Sequence, residues 1–277
     1  MKPMLFSDPA LAKRLERAEG RACASFAEAQ RELAPESGAE WTRCAGALAV
    51  FNGVDSPVTQ SFGLGLFEEL DAASLDEIES FFFDRGTGAV HEVSPLAGVA
   101  AIDLLCARGY RPIEISSVLY RSVELPADEA PGSVKARVIG EDERERWADV
   151  SARGWSSEYP EMLETIRGFG AIAAARRDSP CFIAEIDGEP GAAGVLGIHD
   201  GVALFGGSAT VPELRRRGLQ SALLQERMRY AFEMGCDLAM MVAAAGGESQ
   251  RNAERKGFRI AYTRTKWQLS FDAGRTR

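Results

Sequence analysis

The sequence predicts an α/β (α+β) protein of two tandem domains, each a mixed, mostly antiparallel sheet flanked by helices. Three observations carry that expectation. Segments with helical periodicity alternate with short apolar or alternating runs of strand type. A stretch of prolines, glycine and acidic residues, Pro126-Ala127-Asp128-Glu129-Ala130-Pro131-Gly132-Ser133, interrupts the pattern near the middle of the 277-residue chain. A short motif also occurs twice, as Arg108-Gly109-Tyr110-Arg111 and Lys256-Gly257-Phe258-Arg259, each time after a short helical pattern and before a long strand pattern. The expected domains are residues 1–126 and 134–277, both of ordinary domain size.

In the first half a long helix is expected over 9–33, then strands at 48–51 and 58–67, a helix at 74–84, a strand at 89–93, a helix at 96–107 and a strand at 113–125. The second half opens with helices at 141–153 and 160–177, joined by Gly154-Trp155-Ser156-Ser157-Glu158-Tyr159. Strands follow at 181–186 and 191–198 around the turn Asp187-Gly188-Glu189-Pro190, and His199-Asp200-Gly201 turns the chain into a third strand at 202–211. The helix at 221–234 has one polar stripe, Gln225, Arg229 and Glu233, while Leu219, Leu223, Leu224, Met228, Tyr230 and Phe232 cover most of the rest, so it should pack against a sheet. Gly235 stops it, and a strand at 236–243, a short helix at 248–256 and a strand at 258–271 complete the chain. The second half thus reads ααβββαβαβ, an antiparallel meander passing into a parallel strand after the helix.

Composition removes several function classes. The longest apolar runs fall short of the ~20 residues that span a bilayer, and the N-terminal residues lack a secretory-type apolar stretch, so a cytoplasmic location is expected. Five scattered cysteines (Cys23, Cys44, Cys106, Cys181, Cys236) form no C-x-x-C pair and read as reduced core residues. With two histidines, His91 and His199, a His-rich metal site is excluded; no metal is expected, and each histidine is expected to be structural or turn-exposed. Of 32 basic residues 11 precede residue 130, against 21 of 41 acidic ones; this acidic first half and balanced second half argue against a nucleic-acid surface.

Against that background Arg215-Arg216-Arg217-Gly218-Leu219-Gln220 stands out as a local basic feature between an expected strand and an expected helix. The free N–H groups at a helix start and the positive end of its dipole favour phosphate oxygens, and Gly218 lets backbone and ligand approach closely. A bare basic triplet would be a solvated turn; the flanking strand, glycine and helix favour an anion site.

The second half resembles the GNAT superfamily of acetyl-CoA-dependent N-acetyltransferases over about residues 135–271. The family's Arg/Gln-x-x-Gly-x-Gly/Ala turn is matched by Arg215–Gln220, preceded by Ala209-Thr210-Val211-Pro212-Glu213, and Ser249-Gln250-Arg251-Asn252-Ala253-Glu254-Arg255-Lys256-Gly257-Phe258 resembles its Asn-bearing helix and Gly-Phe exit. The resemblance implies that backbone groups of Ala209, Thr210 and Val211, on a splayed strand, pair with the pantetheine amides and orient the thioester carbonyl. It implies that the amides from Arg216 through Gly218, Leu219 and Gln220 to Ser221 wrap the pyrophosphate, with the side chains of Arg215, Arg216 and Arg217 available to the 3′-phosphate. Asn252 and Ser249 would bond the pantetheine arm. Gln220 departs from the family's final small residue, Ala253 stands about where many members carry a tyrosine acid, and the strand at 202–211 lacks the glutamate base of some members. Glu158 and Tyr159 are weak candidates for the acceptor pocket, and no catalytic residue is named.

Rival motifs lack their context. Gly168-Phe169-Gly170-Ala171-Ile172-Ala173 fits G-x-G-x-x-A but lies in a helical stretch, and Gly206-Gly207-Ser208-Ala209 lacks the second glycine of a nucleophile elbow. The first half reads as a degenerate GNAT-like copy without the CoA motif. Its strand-to-helix connection, Phe67-Glu68-Glu69-Leu70-Asp71, is acidic and lacks glycine, and Leu104 stands at the position matching Asn252. That half is expected to complete the core or wall the acceptor cleft. The expectation is an N-acetyltransferase that passes an acetyl group from acetyl-CoA, its co-substrate, to an amine acceptor by direct attack, with the Val211 N–H as oxyanion donor. The alternative is a non-catalytic acyl-CoA-binding or regulatory module. Neither a nucleic-acid nor a membrane partner is expected, and oligomeric state is left open, a homodimer included.

Overall fold

A computed structural model describes residues 6–126, 133–156 and 160–271. The central part of the linker and the two candidates Glu158 and Tyr159 lie outside the described residues. The chain packs as two compact units, Met1–Tyr120 with Met240–Arg277, and Arg121–Ala239.

The first unit opens with helix α1 (Pro9–Leu33), started by the Asp8 carboxylate, which accepts from Leu11 N at 2.8 Å, with Pro9 in the first turn. Strands β1 (Glu40–Cys44) and β2 (Ala47–Phe51) form a hairpin through Ala45 and Gly46, both at positive φ (44° and 72°), as a two-residue hairpin turn requires. Ala45 is an unusual residue there, and β1 has no counterpart in the sequence reading. Strand β3 (Gln60–Phe62) pairs antiparallel to β2 and is shorter than the expected 58–67, because Gly63 and Gly65, both at positive φ, turn the chain. Helix α2 (Ala72–Phe83) crosses to β4 (Ala89–Val93), which runs parallel to β3, so this unit holds the expected passage from meander to parallel strand.

Helix α3 (Val99–Arg108) stops at Gly109 in the left-handed region, where Tyr110 N donates to Leu105 O (3.0 Å) and Gly109 N to Cys106 O (3.1 Å). Helix α7 (Glu248–Arg255) ends the same way, with Phe258 N on Ala253 O (3.1 Å) and Gly257 N on Glu254 O (2.9 Å). The repeated Gly-aromatic-Arg motif is therefore one helix-stopping turn used twice. The strands that follow, β5 (Arg111–Ser122) and β11 (Arg259–Leu269), pair antiparallel with each other, and β11 pairs on its other side with β4.

The last helix and strand follow in the expected order along the chain, but they group with the first unit instead of the second half. A buried charge cluster ties β11 there. Arg264, 1% exposed, meets Glu16 on α1 (3.1 Å), Glu19 (2.7 Å) and Glu92 on β4 (3.0 Å), while Tyr262 donates to Glu16 at 2.9 Å and Lys266 reaches Glu92 at 3.3 Å. Burial pushes the Glu16 and Glu92 carboxyls up, against the pull of Arg264.

A second buried chain fills the core of this unit. His91 Nδ1 meets Ser61 Oγ at 2.7 Å, His91 Nε2 meets the Tyr110 hydroxyl at 2.9 Å, and that hydroxyl donates to Glu79 at 3.2 Å. Because the hydroxyl proton is committed to Glu79, Nε2 carries the ring proton and Nδ1 accepts from Ser61. His91 is fully buried, as a structural histidine would be, and burial lowers its pKa to about 3. The unfolded chain therefore takes up a proton as pH falls through about 6.5 whereas the folded protein does not, so stability is lost as pH falls through that window. Between pH 7 and pH 5 this one group removes about 2 kcal/mol relative to a His91→Gln protein. Urea unfolding of both proteins at the two pH values checks it; equal losses would contradict it.

The second unit is an antiparallel meander, β6 (Val134–Val138), β7 (Cys181–Ile186), β8 (Glu189–His199) and β9 (Val202–Thr210). Strand β6 is a second element absent from the sequence reading. Helices α4 (Arg144–Trp155) and α5 (Leu163–Ala175) cover one face, where Trp147 and Ala148 pack on Cys181, Ile183, Ala193 and Val195. The Trp147 Nε1–H donates to Phe182 O at 2.8 Å. The intervening Phe182 side chain points to the other face, edge-on to Tyr230 of α6 (Leu219–Glu233). Strand β10 (Leu238–Ala244) carries the chain from the second unit into the first.

Candidate functional site

The expected donor residues 209–221 all lie in the second unit, on the end of β9, the turn after it and the first turn of α6. Two glycines place this segment. A Cβ on Gly154 of α4 would come within 2.6 Å of Ala209 Cβ and 3.0 Å of Thr210 N, so only glycine lets α4 lie this close to β9. A Cβ on Gly191 of β8 would come within 2.6 Å of Leu214 and 2.8 Å of Leu219, so the turn rests directly on β8.

Helix α6 starts at Gly218, at φ 91° with no side-chain cap and no acidic residue in its first turn. Its first N–H groups therefore face outward without an intrahelical acceptor. Arg216 is also left-handed, at φ 61°, and residues 215–218 are exposed, so the turn presents backbone donors and cationic side chains together. The matching helix start in the first unit is closed: Asp71 caps α2, accepting from Ser74 N at 2.8 Å, and Glu68 and Glu69 precede it exposed. One helix start is open to an anion and the other is filled by a carboxylate.

The arginine side chains divide in their use. Arg215 is not turned to a phosphate: its Nε donates to Thr210 O and its guanidinium to Gly154 O, both at 3.2 Å, which staples α4 to the end of β9. Arg217 faces Asp187 at 3.8 Å across an exposed gap, a weak pairing. Arg216 has no hydrogen-bond or ion-pair partner among the described residues. The Gln220 amide folds back onto Thr210 Oγ1 at 2.6 Å, which accommodates a long residue where the family has a small one. Leu219 contributes backbone only, its side chain being buried, and Ser221 is half-buried.

The backbone of β9 corrects one expectation. Val211 N donates to Gly191 O at 2.9 Å, so it continues the ladder with β8 and is engaged as an oxyanion donor would not be. With Val211 facing β8, strand alternation turns the N–H and C=O of Thr210 away from β8, consistent with Arg215 binding Thr210 O. Strand β9 also carries a bulge. Gly206 pairs with Val195 and Ala209 with Ala193, so Gly207 and Ser208 oppose Gly194 alone, with Gly207 at φ 57°.

Ser249 and Asn252 lie on α7, in the first unit; Asn252 Oδ1 accepts from Arg255 at 2.9 Å. Ala253 is buried and its carbonyl holds the helix stop at Gly257. Gly168 to Ala171, the rival dinucleotide match, sit inside α5. Cavities of about 430 Å³ and 390 Å³ in the first unit are lined by none of the expected site residues. Among the described residues no cluster of His, Cys, Asp and Glu is arranged to hold a metal ion, and no helix is long and apolar enough to cross a membrane. Gly154, expected in the loop joining the two helices, lies inside α4, which runs on to Trp155; Gly194 carries no local sequence signal, and the paired glycines at 206 and 207 inside a strand pattern are the one available sign of the bulge.

Residues 142–258 match the model of the acetyltransferase (GNAT) family. No curated protein matches the chain in sequence. Among solved structures, the chain is similar to a GCN5-related N-acetyltransferase from Kribbella flavida (TM-score 0.61, 20% identity, covering 91% of this chain and 96% of that one). It is similar to a GCN5-related N-acetyltransferase from Sphaerobacter thermophilus (0.54, 17%, 95% and 93%). It is also similar to a tandem GNAT protein from the clavulanic acid biosynthesis pathway (0.54, 15%, 83% and 76%). At these identities the likeness is one of fold, and it runs through both halves of the chain. The expected fold class, two tandem GNAT-like domains of mixed sheet flanked by helices, stands, and the match to the acetyltransferase (GNAT) family covers residues 142–258.

Proposed function

We propose that the protein transfers an acetyl group from acetyl-CoA to an amine, with the donor held by the second half alone. The observation that carries this reading is the uncapped start of α6 behind an exposed arginine turn, in the segment that matches the acetyltransferase family. The residues fit the donor. Backbone N–H groups from Arg216 to Ser221 would hold the pyrophosphate, the side chain of Arg216 would meet a phosphate, and Ala209 and Thr210 would line the pantetheine arm. Thr210 N–H, which faces away from β8, takes the oxyanion role expected of Val211.

The thioester supplies an already activated acyl group. The amine nitrogen bonds to the carbonyl carbon, the C–S bond breaks, and the thiolate leaves with CoA; the amine proton passes to solvent. The chain's task is then to hold the donor and exclude misalignment. Ala253, buried at the position where many family members carry a tyrosine, supplies no acid, which favours a solvent-supplied proton. A screen for free-thiol release from acetyl-CoA over a broad panel of amines tests the reading. Release with at least one amine is expected. Tight acetyl-CoA binding with no release across the panel would instead identify a non-catalytic acyl-CoA-binding module.

A further inference from the structure

Arg227 of α6 is 1% exposed, and among the described residues no carboxylate pairs with it. The buried stripe of the helix, Leu219, Leu223, Arg227 and Ala231, puts a cation where periodicity calls for an apolar side chain. Burying an unpaired cation is unfavourable, and an apolar residue of similar length would cost less if the site needed only filling. Burial lowers the guanidinium's pKa to about 10, still protonated at neutral pH.

The guanidinium sits at the β9 bulge. One terminal nitrogen donates to Val195 O (3.2 Å) and Gly206 O (3.3 Å), the paired residues that bound the bulge on one side. The other donates to the Ser208 hydroxyl (2.8 Å) inside the bulge, and Nε donates to Leu223 O (3.3 Å) on its own helix. Its Cζ lies 5.1 Å from the centre of the Phe205 ring. Gly194, opposite the bulge, has no side chain to interfere; a Cβ there would come within 3.0 Å of Cζ. Strand, bulge and helix are thus pinned by one planar fork of donors, which a flexible ammonium could not reproduce.

We propose that Arg227 is a positioning residue: its guanidinium sets the bulge in β9 and thereby aims the Ala209–Val211 segment at the acyl donor. The bulge ends one residue before that segment, so a relaxed bulge rotates the Thr210 N–H and C=O away from their present direction. This rests on the reading of residues 209–211 as the donor strand.

The test uses the full chain and three variants, Arg227→Met, Arg227→Lys and Gly194→Ala, the last crowding the guanidinium without removing it. Acetyl-CoA affinity is measured by calorimetry, and amide hydrogen exchange over residues 206–211 is measured without ligand. Arg227→Met is expected to weaken acetyl-CoA binding at least about tenfold and to speed exchange in that segment, with Arg227→Lys restoring little and Gly194→Ala intermediate. Normal affinity and unchanged exchange in a folded Arg227→Met protein would overturn the proposal. If that protein does not fold, Gly194→Ala decides by the same two readouts. The exchange arm needs no ligand. Faster exchange in a chain whose unsubstituted form binds no acetyl-CoA would therefore sink the donor reading and leave Arg227 as the holder of the bulge.

Discussion

A Gly218→Glu protein is expected to fold and to lose acetyl-CoA binding. Gly218 is exposed, and nothing lies within 4 Å of where its Cβ would stand, so a larger side chain meets no steric barrier in the folded unit. Its φ of 91° costs a non-glycine residue about 1 kcal/mol, a small loss for a protein with a large core. The ligand effect is larger. A carboxylate about 4 Å from a pyrophosphate near a protein surface opposes it by roughly 4 kcal/mol, enough for more than a hundredfold loss of affinity. Gly218→Ala separates the two terms, since it carries the backbone strain without the charge. Titration calorimetry of both variants should find near-normal affinity for alanine and none detectable for glutamate. Equal affinity in both would place the phosphates elsewhere.

Arg264→Leu is expected to be the most damaging single substitution for stability. It leaves Glu16, Glu19 and Glu92 without the guanidinium that all three meet, and two of them are almost wholly buried. Breaking a buried ionic cluster on one side typically costs about 3–5 kcal/mol. The loss has a pH signature. Glu16 and Glu92 already sit above the usual carboxylate range because of burial, and removing Arg264 raises them further. A carboxyl raised in the folded state contributes stability below its unfolded pKa and loses it as pH rises through the folded value. The deficit of the variant should therefore be largest near neutral pH and shrink as pH falls toward 5. Chemical unfolding at both pH values measures it, and a deficit independent of pH would show that the three carboxylates are not the cause.

What could be read from the sequence was local. The arginine turn, its glycine and the flanking strand and helix lie within a few dozen residues, and each carries its own periodicity or capping chemistry. Helix α1 and strands β4 and β7 fall at their expected bounds for the same reason. Strand β1 was hidden by its mostly half-buried residues and by an Ala-Gly turn where Asn-Gly or Asp-Gly is usual. Strand β6, five residues with no clean alternation of burial, gave no period to detect. The placement of β11 depends on Arg264 meeting Glu16 some 248 residues away, and no local pattern announces such a pair. Arg227 was missed because an arginine four residues after Leu223 reads as a polar interruption, while Phe232, expected on the packed surface, is exposed. The side-chain roles of the arginine turn also needed coordinates: three adjacent arginines look alike in sequence, but Arg215 braces α4 against β9 whereas Arg217 faces Asp187 across an exposed gap.

Under the proposed function the open helix start after β9 holds acetyl-CoA and the capped one after β3 does not. Calorimetric titration of the full chain with acetyl-CoA tests it most directly. The expected result is a single site per chain, abolished by Gly218→Glu and unchanged by Asp71→Ala. No binding to the unsubstituted chain, or a second site that persists in the Gly218→Glu protein, would contradict it.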